Sequence, residues 1–208
     1  MKKILFLFLL STGVFAQKKP LVFREVWIWE YTDTEGTKQE LAIYHLPAKN
    51  YWLFTAEAYG NSGEMIEYIL AKPDGEYIMA YTDAEGQNGL FKTRIPLSSP
   101  KVLPSAYRLQ KKTQFFGDPE LGYPKTLGKQ YIKTFENTSD ADEMYLTDTK
   151  SDMRPVYHFN QLEGDAKLPV HFPLDLPAHT QVLEEKIKGE VRYTFKFKSQ
   201  TEYYVYRY

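Results

Sequence analysis

The chain contains no cysteine. That absence excludes disulfides, thiolate-bound metal, iron–sulfur clusters, a cysteine nucleophile and a lipid-modified N-terminal cysteine. A surplus of one charge sign is also missing. There are 26 basic and 27 acidic residues, for a formal net charge of −1. Nothing is left over to neutralise phosphates, so nucleic acid is not an expected partner. The sequence has no Gly-x-Ser-x-Gly elbow, no Walker A loop and no dinucleotide fingerprint, so no catalytic residue is nominated. Gly60-Asn61-Ser62-Gly63 lacks the spacing of the elbow and reads as a hairpin turn. His45, His158, His171 and His179 form neither a His-Glu-x-x-His nor a His-x-His pair, and neither metal nor cofactor is expected. Asp140-Ala141-Asp142-Glu143 lacks the glycine and closing glutamate of a calcium loop, and reads as a solvated turn.

What is abundant is aromatic. Tyr, Phe and Trp make up 16% of the 208 residues, which favours strands, because flat rings pack well on a pleated surface. With 43% hydrophobic and 25% charged residues the chain is globular rather than disordered, and its length suits one domain. The start of the chain is set apart. Met1-Lys2-Lys3 is basic, Ile4–Leu10 is an unbroken apolar run, and Val14 and Ala16 occupy the −3 and −1 positions of a cleavage site. This is the layout of a secretory signal peptide over residues 1–16, cleaved after Ala16. The expected location is the periplasm or the exterior. Once the leader is gone, no apolar run is long enough for a spanning helix.

The expected domain covers residues 17–208. Runs rich in β-branched and aromatic residues alternate with short clusters of Gly, Asn, Asp and Pro. The first six are Val22–Tyr31, Gln39–Leu46, Tyr51–Tyr59, Glu64–Lys72, Glu76–Thr82 and Gly89–Ile95. Connections this short force antiparallel neighbours. Tyr31-Thr32-Asp33-Thr34-Glu35-Gly36 recurs as Tyr81-Thr82-Asp83-Ala84-Glu85-Gly86, which predicts two hairpins with the same turn chemistry rather than a long repeat. Two Pro-rich connectors are expected, near 96–126 and 161–180, with one short helical turn between Ala106 and Phe116. Further strands are read at Gln130–Glu136, Glu143–Thr147, Pro155–Phe159, Val191–Lys198 and Tyr203–Tyr208. The fold class that follows is mostly β: a strongly curved antiparallel sheet or incomplete barrel, with short helices or loops as a lid.

The aromatics supply the candidate site. Trp27, Trp29 and Tyr31 share one face of the first strand, while Val26 and Ile28 fill the other. Tyr51-Trp52-Leu53-Phe54 repeats this two-sided pattern. A sheet wet on one side does not need it. Either connectors cover both faces, or one face lines an apolar cavity. On the second reading Trp27, Trp29, Tyr31, Trp52 and Phe54 form the wall of a pocket for a hydrophobic or lipid-like ligand.

Three groups of residues carry a resemblance. They are Ala71-Lys72-Pro73-Asp74-Gly75-Glu76-Tyr77 in an aromatic-rich meander, Gly128-Lys129-Gln130-Tyr131 followed by Tyr145-Leu146-Thr147-Asp148, and Leu168-Pro169-Val170 with Leu183-Glu184-Glu185 before a final strand pair. On these the chain resembles secreted bacterial proteins that share the half-barrel of the periplasmic lipoprotein carriers. The resemblance implies a curved sheet around a hydrophobic cavity, lidded by short helices or loops, and transfers no functional residue. The expectation is a secreted or periplasmic, non-enzymatic protein that binds a hydrophobic ligand. The alternatives are a glycan-binding module or hydrolase, with exposed aromatics and paired acids, and a small outer-membrane barrel ending on Tyr204, Tyr206 and Tyr208.

Overall fold

The computed structural model describes residues 19–59, 66–135, 141–206 and 208. The leader and the Gly60–Gly63 turn lie outside them. The chain forms β1 (Leu21–Thr32), β2 (Lys38–Leu46), β3 (Tyr51–Thr55), a single helical turn α1 (Ala56–Tyr59), β4 (Ile66–Ala71), β5 (Glu76–Thr82) and β6 (Asn88–Arg94). It continues with β7 (Tyr107–Phe116), β8 (Thr126–Thr134), β9 (Ala141–Asp148), a short helix α2 (Arg154–Tyr157), β10 (Thr180–Ile187) and β11 (Glu190–Val205). The fold is mostly β, as expected.

The eleven strands of the described residues join one antiparallel sheet in the order β6-β5-β4-β3-β2-β1-β11-β10-β9-β8-β7. Every chain neighbour is a sheet neighbour except β6 and β7, which form the two edges. This is the order of an up-and-down barrel left open at one seam. Chemistry at the turns explains the hairpins. Asp33 Oδ1 accepts the amides of Glu35 and Thr37, and Asp83 Oδ1 accepts those of Glu85 and Gln87. The repeated six-residue motif thus builds the same turn twice. Lys188 and Gly189, both at positive φ, close the two-residue β10–β11 turn.

The two faces of β1–β5 are covered by different parts of the chain. On the inner face, Trp29 stands opposite Leu41 and Phe195, Trp52 opposite Ala71, and Phe54 opposite Ile69. The segment 149–179, between β9 and β10, runs across them as a strap. Its Met153, Val156, Phe159, Leu162, Leu168 and Phe172 are buried in the same core. On the outer face, Leu53, Leu70, Ile78 and Ala80 pack under Leu21, Phe23 and Val205, the ends of β1 and β11. A register shift between Phe23 and Glu25 marks where that ribbon turns. Two-sided apolar strands therefore have two covers.

Four local expectations differ from the structure. Residues 107–116 form an edge strand, not a helical turn. Proline flanks it at Pro104 and Pro119, and an edge tolerates both those breaks and the charges of Arg108, Lys111 and Lys112. Pro155–Phe159 is not a strand. Pro155 sits in the first turn of α2, where its missing amide costs nothing, and Asp152 Oδ1 accepts the Arg154 amide just before it. The strand from Tyr51 stops at Thr55 and coils into α1. Finally, Val191–Lys198 and Tyr203–Tyr208 are not two strands. Up to Val205 they belong to one, bulged rather than broken near Ser199-Gln200, and its partner is the unexpected strand Thr180–Ile187.

Candidate functional site

Four of the five aromatic candidates are fully packed: Trp27 is 2% exposed, and Trp29, Trp52 and Phe54 are 0%. The indoles of Trp52 and Trp29 bind the strap and its return, while that of Trp27 donates to Glu25 on its own strand. Trp52 Nε1 donates to the Asp152 carbonyl at 2.9 Å, and Trp29 Nε1 to the Val182 carbonyl at 3.2 Å. Phe54 packs on Phe159 with ring centroids 4.2 Å apart. None of the three tryptophans offers an open face on which a sugar could stack. Tyr31 borders a cavity of about 250 Å³ at the end of the strap, and the edge of Trp27 borders another, of about 380 Å³, beside Pro124, Gln181 and Lys198.

The cavity at Tyr31 lies between the sheet and residues Pro169–His171 of the strap, and Thr32, Glu185, Ile187, Arg192 and Tyr193 complete its wall. Sheet register assembles it. Tyr31 stands opposite Tyr193, Tyr193 opposite Glu185, and Glu185 opposite Met144, so these side chains form one row across four strands. Arg192 belongs to the outward phase of β11. The pairing steps from Glu185–Tyr193 to Lys186–Val191, however, so Arg192 is the extra residue of a bulge and reaches the rim.

The electrostatics of this cavity are unusual for a sheet interior. Glu185 is 6% exposed. Burial, reinforced by Asp142, pushes its carboxyl up to about 7, against the pull of Lys133, Tyr193 and Arg192. The Tyr193 hydroxyl is buried and faces Glu185 outside regular hydrogen-bond geometry, without a partner among the described residues. Burial, then the Glu185 charge, raises that phenol well above its ordinary value. Behind it, Tyr157 donates to the Thr180 carbonyl at 2.6 Å and accepts the Val182 amide at 3.1 Å. Tyr107 donates to Asp175 at 2.7 Å, and Asp175 pairs with Lys133 at 2.9 Å. Perturbed groups of this kind at a cavity are candidates for binding.

A second polar cluster, at the start of the strap, is already satisfied. His45 Nδ1 lies 2.9 Å from Glu25 and Nε2 lies 3.2 Å from Asn50 Oδ1. Asn50 in turn donates to the Asp152 carbonyl and accepts its amide. Burial would raise Glu25, but His45, Trp27 and Lys198 hold it down at about 2. This cluster fastens the strap to β1–β3. Arg154 and His158 fasten it to the connector after β6, through the Leu97 and Ser98 carbonyls.

Glu185, Arg192 and Tyr193 escaped sequence reasoning as site residues. A signal was present: Glu185 alternates with Leu183 and Ile187, an acid in phase with apolar residues. Among the described residues no group of three His, Asp or Glu could hold a metal ion, and no helix is long and apolar enough to cross a membrane. The chain matches no protein-family model and no curated protein.

Proposed function

We propose that this is a non-enzymatic binding protein that takes a small hydrophobic or lipid-like ligand between its sheet and its strap, outside the cytoplasm. The cavity at Tyr31, Val170 and Tyr193 is the observation that carries this reading. It combines an apolar wall with a few convergent polar groups, the composition of a small-molecule site. The tightly packed Trp27, Trp29, Trp52 and Phe54 hold the floor rigid beside it, so a guest needs no reordering of the core. The likeness to the periplasmic lipoprotein carriers belongs to the same proposal, since an open sheet with a covered apolar face suits a carrier.

Native mass spectrometry of the protein secreted from its own leader is the test. A bound small molecule, lost from a Val170→Trp variant that fills the cavity, is the expected result. Tryptophan fluorescence should also respond to amphiphiles, because Trp29 packs on Phe172 of the strap, two residues past Val170. Protein that carries nothing, and whose fluorescence ignores every amphiphile, overturns the reading.

A further inference from the structure

We propose that the cavity receives the carboxylate of a small apolar acid, bound by the Arg192 guanidinium and the Tyr193 hydroxyl. The inference rests on the ligand-binding reading above and adds the chemical class of the guest. Three observations carry it. Among the described residues Tyr193 holds a buried hydroxyl with no hydrogen-bond partner, and a buried donor of that kind is costly until something accepts from it. A β-bulge re-aims Arg192 to the rim of the same cavity, where its planar fork matches a carboxylate. Pro169, Val170, Ile187 and the Tyr31 ring then supply an apolar wall for the rest of the molecule.

A cationic guest fits less well. Glu185 already faces Lys133 from β8 and Arg192 from β11, so a third positive group would meet two others. The acid groups nearby favour a proton instead. Asp142 on β9 repels the Glu185 charge, while Asp175 of the strap is committed to Lys133 and Tyr107. His171 of the strap and Tyr31 of β1 complete the titratable groups around the cavity. Glu185 therefore keeps its proton up to about pH 7 and loses it above. As a neutral acid it becomes a third donor toward a carboxylate, whereas as an anion it repels one. Binding is coupled to proton uptake at Glu185.

Isothermal titration with octanoate, octanol, octylamine and acetate, at pH 6 and pH 8, tests this. Octanoate should bind tighter than the other three, and about tenfold more weakly at pH 8, where only about a tenth of Glu185 stays protonated. Glu185→Gln should bind octanoate equally at both values. Tyr193→Phe and Arg192→Gln should each lose octanoate selectively over octanol, with unchanged circular dichroism. Octanol binding as well as octanoate at both pH values overturns the carboxylate assignment and leaves the hydrophobic-ligand reading intact. Preference for octylamine, strengthening as pH rises, reverses the assignment. Failure of all four to bind refutes this inference, while a different molecule retained in native mass spectra would still support the broader reading.

Discussion

Glu185 and Glu25 are both carried on strands beneath the strap, and their neighbours drive them in opposite directions. Glu25 receives His45, the Trp27 indole and Lys198, so it stays charged down to about pH 2. Glu185 receives too little compensation for its burial and titrates near 7. Proton linkage gives the two opposite effects on stability. Glu25, depressed in the fold, stabilises above its unfolded value near 4.5, and that contribution is lost as pH falls toward 2. Glu185, raised in the fold, costs nothing below 4.5. Its penalty grows as pH climbs from 4.5 to about 7 and is constant above, where it amounts to roughly 3 kcal/mol at about 1.4 kcal/mol per unit. Glu185→Gln removes the penalty. In thermal melts at pH 8 the variant should unfold roughly 6–12 °C above the parent, with little difference at pH 4.5. Equal melting at pH 8 would mean that the Glu185 carboxylate is compensated in the fold.

Strap and turns set the shape of the molecule at the next scale, and one glycine joins two of them. Gly75 has φ +84, and an added Cβ would stand 2.1 Å from the Ile95 carbonyl oxygen. The Ile95 amide donates to the Gly75 carbonyl at 2.9 Å, so the β4–β5 turn is clamped to the start of the connector that leads to β7. Gly36 has nearly the same φ, +83, with nothing within 4 Å. Conformational strain alone predicts about 1 kcal/mol for Gly36→Ala. Gly75→Ala carries that strain plus displacement of a backbone, about 2–4 kcal/mol in all. Urea denaturation of the two variants separates the terms, and equal midpoints would show that the Ile95 contact is dispensable. The elements most legible in the sequence were those whose signals are local. Asp33 and Asp83 announced their turns, and Tyr193 and Phe195 their half-buried strand. Less legible elements depend on tertiary context. Val156, Tyr157 and Phe159 are buried on all sides, so their period does not distinguish helix from strand. Lys111 and Lys112 hid an edge strand because an edge needs no apolar face. The aromatic wall was visible as residues, but whether it bordered space or core was decided by a strap about a hundred residues away, as the Trp52–Asp152 bond shows.

Viewed as a whole, the molecule has a chain order and a spatial order that differ by one rotation. Read from β7 through β11 to β1 and on to β6, the sheet is a plain meander. Among the described residues only the β1–β11 pair joins strands far apart in sequence, with Leu21 opposite Val205 and the Tyr208 hydroxyl donating to the Lys19 carbonyl at 2.9 Å. Those two chain positions are therefore close enough for a short linker. The connector between β6 and β7 offers the complementary cut at Lys101–Val102, where Val102 is 74% exposed and the Leu97 and Ser98 contacts to the strap are left upstream. A circular permutant beginning at Val102, with residue 208 linked to Lys19, turns the β1–β11 pairing into a local hairpin. Loop closure between distant strands is a main cost in the folding of antiparallel sheets, so the permutant should refold faster than the parent. Its equilibrium stability should change little, because the strap still lies between β9 and β10 and the same core forms. Stopped-flow refolding followed by tryptophan fluorescence reads both quantities, since Trp27, Trp29 and Trp52 all report on the strap face. Slower refolding of the permutant would show that closing β1 on β11 does not limit the rate. A permutant that fails to fold would show that an unbroken β6–β7 connector holds the seam, beyond the Leu97 and Ser98 contacts that the cut leaves in place.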